Sequence, residues 1–257
     1  MTESASIEGI YHRSYGVYQT ELTDGTSVSS LSFPSWDEFH IALSSLPETT
    51  GYVISPELIT SPVPLTQIPG MSEVVRSRVE MVEETSNDHP RATFLLGTSS
   101  TDELGITRNS LAVVEKGRTV GHVDKRGWMW PHELDVFNRF PIRSQAKLRE
   151  IGHSALICLD IASAARWGMH PVQGLRLVDK EPTALLVSSC WAVPIAEDYK
   201  YTVVRAEGDD RYKPYLERNL KSLFGRFPGL KDIVVTDRAV PGISNVPPYN
   251  AHFKRPS

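Results

Sequence analysis

With only two cysteines in 257 residues, Cys158 and Cys190, the chain has no disulfide framework to lean on, and an intracellular reducing compartment, the cytoplasm, is the expectation. No apolar run approaches the length of a membrane span, so no membrane partner is expected. The opening stretch "MTESASIEGIYHRSYG" has neither a basic start nor an apolar core, which argues against a secretory signal. Positive charge is not in excess: the formal net charge is −4, with acids and bases interspersed. That excludes the basic footprint of a nucleic-acid binder and a polybasic membrane patch. There is no phosphate-cradling or dinucleotide glycine fingerprint and no G-x-S-x-G. The histidines near the candidate site, His122, His132, His153 and His170, match no zinc spacing, so neither a metal nor a cofactor is expected.

What is present is the profile of a globular chain. Residues are 40% hydrophobic, 9% aromatic and 23% charged, enough apolar material for a sizeable core. "FPSWDEFHIALSSLP" predicts a helix, with Ser35 and Glu38 as a capping box and Trp36, Phe39, Leu43 and Leu46 on one face. "TGYVISPELITSP" predicts a short buried strand broken by Pro56. "GMSEVVRSRVEMVEET" carries a helical stripe of Met71, Val74, Val75, Val79 and Val82. "RATFLLGTSS" predicts a strand, and "NSLAVVEKGRTVGHVDK" a hairpin turning at Lys116-Gly117. "HSALICLD" predicts a strand followed by a short helix. "TALLVSSCW" and "KDIVVTDRA" predict strands on either side of a helix in "KPYLERNLKSLFGRFPG". Strands alternating with helices, together with hairpins, imply a layered α/β fold. The segment 239–257, rich in proline, is expected to be an extended tail wrapping the surface or a partner. The whole of 1–257 reads as a single domain carrying that tail.

Three residues raise a chemical question. Cys158 ends an apolar strand just where a turn begins. Most such cysteines fill a core, but a turn can also present the sulfur to a substrate. Glu57 follows a buried strand, where a solvated loop residue is the ordinary reading. Lys125 ends the hairpin, where most lysines face water. Trp128, Met129 and Trp130 behind it suit a pocket or a subunit interface equally. Cys190 has no neighbouring acid or base in sequence and reads as structural.

The order Glu57, Lys125, Cys158 resembles the nitrilase superfamily of carbon–nitrogen hydrolases. "YVISPELITS" is similar to that family's strand ending in Pro-Glu. "NSLAVVEKGRTVGHVDKRG" is similar to its hairpin running into the lysine, and "SALICLDI" to its Ile-Cys-aromatic-Asp elbow, with Leu159 in the aromatic position. "ALLVSSCW" resembles the strand ending in Ser-x-Trp, here Ser189 and Trp191, and Glu133 falls where many members carry a second glutamate. "YGVYQTE" resembles the opening strand. The resemblance spans roughly residues 15–195. It implies a four-layer α-β-β-α sandwich, a homodimer or higher homo-oligomer, and cofactor-free hydrolysis of a small-molecule amide through a thioester. In that chemistry Cys158 is the nucleophile and Glu57 the general base and acid. Lys125 and the backbone N–H of Leu159 stabilise the oxyanion. Glu133 is a supporting residue, and Trp128 and Trp191 line the substrate.

The chain also departs from the family. Where Arg-Phe-Pro-Glu often follows the elbow, this sequence has "IASAARWG", with Arg166 in a different register. "SNVPPYNAHF" matches no family pattern. A nitrile substrate and a catalytically silent scaffold or binding protein therefore stand as alternatives to the amidase. The Asp after Cys158, in "CLD", favours the amide.

Overall fold

The fold is seen in a computed structural model that describes residues 8–12, 14–46, 48, 51–61, 72–126, 136–138, 144–158, 160–167, 181–192, 212–239, 248 and 250–255. Two sheets form its frame. One holds five strands in the order β1 (Glu8–His12), β11 (Asn250–Lys254), β10 (Asp232–Ala239), β9 (Ala184–Ala192) and β8 (His153–Ile157). The other runs β2 (Gly16–Glu21), β3 (Ser27–Ser32), β4 (Tyr52–Ile54), β5 (Thr93–Thr101), β6 (Thr107–Glu115) and β7 (Arg118–Asp124). Strands β8, β9 and β10 are parallel to one another, as are β3, β4 and β5. Four helices accompany them among the described residues: α1 (Trp36–Ser44), α2 (Ser72–Asp88), α3 (Asp160–Trp167) and α4 (Tyr212–Arg226).

Local chemistry sets several of these elements. The Ser35 side chain caps α1 by accepting from the Glu38 N–H at 3.4 Å, as the capping box predicts. The β6–β7 hairpin turns on Lys116 and Gly117, both at positive φ (48° and 77°), the two-residue geometry that matches the twist of paired strands. The period-two alternation of buried strands then divides the core. Val53, Phe94, Leu96, Ala112 and Val114 pack with Phe39 and Leu43 of α1 and Val82 of α2. Their neighbours Tyr52, Ile54, Leu95, Leu111 and Val113 join a larger cluster. That cluster includes Leu185 and Val187 of β9, Ile161 and Ala164 of α3, and Leu220 and Leu223 of α4.

The C-terminal segment corrects an expectation. Residues 250–254 do not wrap the surface. They form β11, inserted between β1 and β10 and antiparallel to both, with Phe253 fully buried. Alternation in "NAHFK" is too short to stand out among the four prolines of 239–257, and its partner β1 is equally short. Arg255 then ties this strand to α4. Its guanidinium donates to the Phe227 and Leu230 carbonyls at 2.8 and 2.7 Å and to that of Phe224, over whose ring it also lies.

Candidate active site

The candidate residues gather where the parallel strands end, the usual ligand-binding edge of an α/β sheet. Glu57 lies three residues beyond β4, Lys125 follows β7, and Cys158 follows β8. All three are buried. The solvated-loop readings of Glu57 and Lys125 therefore fail. Lys125 Nζ meets Glu57 Oε1 at 2.9 Å, and neither side chain is more than 2% exposed.

Glu57 is held by donors from both sheets. Besides Lys125, Oε1 accepts from Asn109 Nδ2 at 2.6 Å, and Oε2 accepts from the Cys190 backbone N–H of β9 at 3.0 Å. A carboxylate offers about four acceptor positions, so one remains for a further proton donor. Asn109 acts twice, because its carbonyl also accepts from the Lys125 N–H at 2.9 Å.

Cys158 is tied to the same strand. Its backbone N–H donates to the Ser188 carbonyl at 2.8 Å, while that of Glu57 donates to Ser189 at 3.3 Å. Successive carbonyls of β9 thus hold the Cys158 and Glu57 backbones. Asp160 closes the remaining side: one oxygen accepts from the N–H of Arg126, next to Lys125, and the other from that of Ile157, next to Cys158, each at 3.3 Å. In the sequence reading this acid marked a branch of a family. In the structure its buried carboxylate links the ends of β7 and β8.

Backbone strain is concentrated here. Only three described non-glycine residues have positive φ, and two are Leu58 (56°) and Cys158 (46°). A left-handed residue that is not glycine costs on the order of 1–3 kcal/mol and persists only where its surroundings hold it. At Leu58 those surroundings include Gly97. A Cβ there would lie 2.0 Å from the Pro56 carbonyl oxygen and 2.9 Å from the Glu57 Cα. Ser55 secures the same corner, its hydroxyl accepting from the Gly97 N–H at 2.8 Å and its carbonyl accepting from Ser188 Oγ at 2.8 Å.

No family model matches the sequence, and no curated protein matches it. Solved structures do. A carbon–nitrogen hydrolase from Helicobacter pylori superposes with a TM-score of 0.53 at 15% identity, over 90% of this chain and 73% of that one. The chain has the carbon–nitrogen hydrolase fold. A CN-hydrolase superfamily protein from Xanthomonas campestris, solved with an arsenic adduct in its active site, gives 0.52 at 15% identity over 91% and 76% of the two chains. The glutamine-dependent NAD+ synthetase of Acinetobacter baumannii gives 0.57 at 15% identity over 86% of this chain. The match spans 39% of that enzyme.

Within the carbon–nitrogen hydrolase fold, the remaining sequence candidates stand differently. Glu133, Trp128 and Leu159 lie outside the described residues, and Trp191 belongs to β9 without a described side chain. Cys190 is buried, in keeping with a structural cysteine, although its sequence neighbours do not show what surrounds it. It has charged neighbours in space: burial pushes its thiol up to about 11, with Glu57 and Asp237 adding to the rise and Arg238 opposing it. Its main chain also holds Glu57. Asn109, Asp160 and Arg238 were not singled out in the sequence as site residues, although Asn109 opens the quoted "NSLAVV" run. Among the described residues no group of histidine, cysteine and carboxylate side chains is arranged to hold a metal, and no helix is long and apolar enough to cross a membrane.

Proposed function

We propose that the chain is a cofactor-independent carbon–nitrogen hydrolase that cleaves an amide through a Cys158 thioester. The observation that carries this reading is the buried Glu57–Lys125 ion pair at 2.9 Å, tied through β9 to a cysteine in a left-handed turn. A structural cysteine needs neither the strained turn nor the neighbouring charge pair. In this reading the two sheets, with α1 and α2 on one side and α3 and α4 on the other, form a four-layer α-β-β-α sandwich, and the chain assembles as a homo-oligomer.

Glu57 takes the Cys158 proton at its remaining acceptor position. The sulfur attacks the carbonyl carbon, a C–S bond forms, and the π electrons move to oxygen. Lys125, with the Leu159 N–H, meets that negative charge in a site shielded from water. Glu57 then gives its proton to the leaving nitrogen as the C–N bond breaks. A water surrenders a proton to Glu57 and attacks the thioester. The acid leaves, and the sulfur recovers its proton. One carboxyl group serves as base and acid in turn, and Glu133 and the two tryptophans, Trp128 and Trp191, are assigned to substrate orientation.

Intact-mass measurement after incubation with a panel of amides and nitriles tests the reading. An adduct on Cys158 with the mass of an acyl group, formed from an amide that is turned over, is the expected result. Consumption of nitriles alone would identify a nitrilase. No adduct and no turnover across the panel would leave the silent scaffold in its place.

A further inference from the structure

Arg238 is the least expected residue near the site. It lies in β10, in register with Cys190 of β9, and only 3% of it is exposed. Two residues earlier on the same face, Thr236 donates to Ser30 of the opposite sheet at 2.8 Å, so Arg238 also faces across. Its guanidinium donates to the Leu58 carbonyl at 2.9 Å. That carbonyl belongs to the left-handed residue immediately after Glu57. No carboxylate pairs with Arg238 among the described residues, and its Nε is buried without a partner. A buried guanidinium lacking a counter-ion is costly to retain. Glu57 is bonded to the main chain of Cys190, the residue paired with Arg238 across the two strands, and Asp237 precedes Arg238 in the chain.

We propose that Arg238 is a positioning residue for Glu57, bracing the Leu58 corner and supplying a second buried positive charge behind the carboxylate. The inference rests on the reading of Glu57 as the base for Cys158. The charged and titratable groups around it come from four strands and one helix. Lys125 faces Glu57 from the end of β7, Cys158 follows β8, and Cys190 and Arg238 approach from β9 and β10. Asp237 is engaged by the Ser189 hydroxyl at 3.1 Å. Arg78 of α2, whose pKa is lowered chiefly by burial, also feels Arg238. With Arg238 in place, two buried cations balance Glu57 and the negative charge that develops on the Cys158 sulfur. Without it, every nearby acid holds its proton more tightly, whichever group the titration is assigned to.

The test is the pH profile of Cys158 alkylation by iodoacetamide, read by peptide mass, in wild type, Arg238→Gln, Arg238→Lys, Glu57→Gln and the Glu57→Gln/Arg238→Gln double variant. Glutamine keeps a donor for the Leu58 carbonyl without the charge, and lysine keeps the charge. Arg238→Gln is expected to move the acid limb up by about one pH unit, a tenfold loss of reactivity on that limb. Arg238→Lys should hold it near wild type, and the shift should shrink in the Glu57→Gln background. If Arg238→Gln does not fold, a shift in Arg238→Lys as large as that in Glu57→Gln overturns the role of charge. A wild-type profile in folded Arg238→Gln, or an undiminished shift in the double variant, overturns the inference. A Glu57→Gln profile identical to wild type would instead overturn the base reading on which it rests.

Discussion

Where β8 and β10 begin, the two sheets are joined by imidazoles. His252 Nε2 meets Asp232 Oδ1 at 2.9 Å, and its Nδ1 meets the Thr20 hydroxyl at 2.6 Å. His153 Nε2 meets Asp24 at 2.9 Å, and its Nδ1 meets Tyr52 at 3.2 Å. The turn between β2 and β3 is held by both arrangements, since the Thr23 N–H donates to Asp232 Oδ2 at 2.9 Å. None of these residues is in the left-handed region. Where the same strands end, the sheets are joined through a carboxylate, an ammonium and a guanidinium, all buried, and two non-glycine residues sit at positive φ. One end makes relaxed local geometry serve cohesion. The other stores strain and desolvated charge, the arrangement expected where geometry is kept for chemistry rather than stability. Variants at the two ends should therefore separate reactivity from stability.

The largest effect belongs to Cys158. Cys158→Ala is expected to abolish turnover and adduct formation while the protein still unfolds cooperatively. Removing the sulfur costs only about 1–2 kcal/mol of packing. Cys158→Gly should be equally inactive but more stable than the alanine variant by roughly 1 kcal/mol, because glycine adopts φ 46° without penalty. Denaturant melts of the two variants check this. An alanine variant as stable as the glycine one would show that the turn carries no strain.

Lys125→Met comes next. The loss of an oxyanion donor typically costs about 10²–10³ in rate, and stranding a buried carboxylate typically costs about 3–5 kcal/mol. Asn109 and the Cys190 N–H remain on Glu57, so destabilisation at the low end of that range is expected. Turnover of any substrate found and alkylation of Cys158 would both report it. Normal values for both would place Lys125 outside the chemistry and return it to a packing role.

Gly97→Ala should act on the site without touching a charged group. The added methyl meets backbone atoms of Pro56, Glu57 and Leu58, at 2.0 Å in the closest case, so the corner itself must shift. Misplacement on the ångström scale can cost about 10²-fold in rate. Slower Cys158 alkylation in a protein that remains folded is the expected outcome. An unaltered rate would mean that the Glu57 corner tolerates displacement.

The candidate site was more legible in the sequence than the residues that support it. Glu57, Lys125 and Cys158 stand at strand ends within short, patterned segments, so order and spacing marked them as candidates. Asn109 lies in a quoted run, but its double contact with Glu57 and Lys125 depends on a fold that joins positions 52 residues apart. Arg238 lies near the end of a strand that reads as ordinary, and only the parallel register of β9 and β10 sets it beside Cys190. The base end was silent because each imidazole and its carboxylate lie on different strands or a distant turn. Strand β11 was misread because prolines dominate its neighbourhood, whereas its burial comes from two partner strands, one of them at the other end of the chain.

The smallest expected effect tests the base end. Burial alone would raise the Asp232 carboxyl, but the bonds from His252 and Thr23 outweigh it and hold it below its ordinary range. Asp24 behaves alike, with Thr26 and His153 outweighing its burial. A carboxyl depressed in the folded state adds stability above its unfolded value, about 3.9. That stability is lost as pH falls through the folded value. Asp232→Asn should therefore cost about 1–3 kcal/mol near pH 7, the worth of a charge-assisted bond. Its deficit against wild type should shrink as pH drops below about 4, where the unfolded carboxyl protonates, and close once the native carboxyl is neutral as well. Urea melts of both proteins between pH 2.5 and 7 measure this, and the Cys158 alkylation profile should not move. A deficit that stays constant with pH would mean that shape rather than charge matters at Asp232. A shifted alkylation profile would break the comparison itself, since the base of the sheets would then be coupled to the chemistry at their far end.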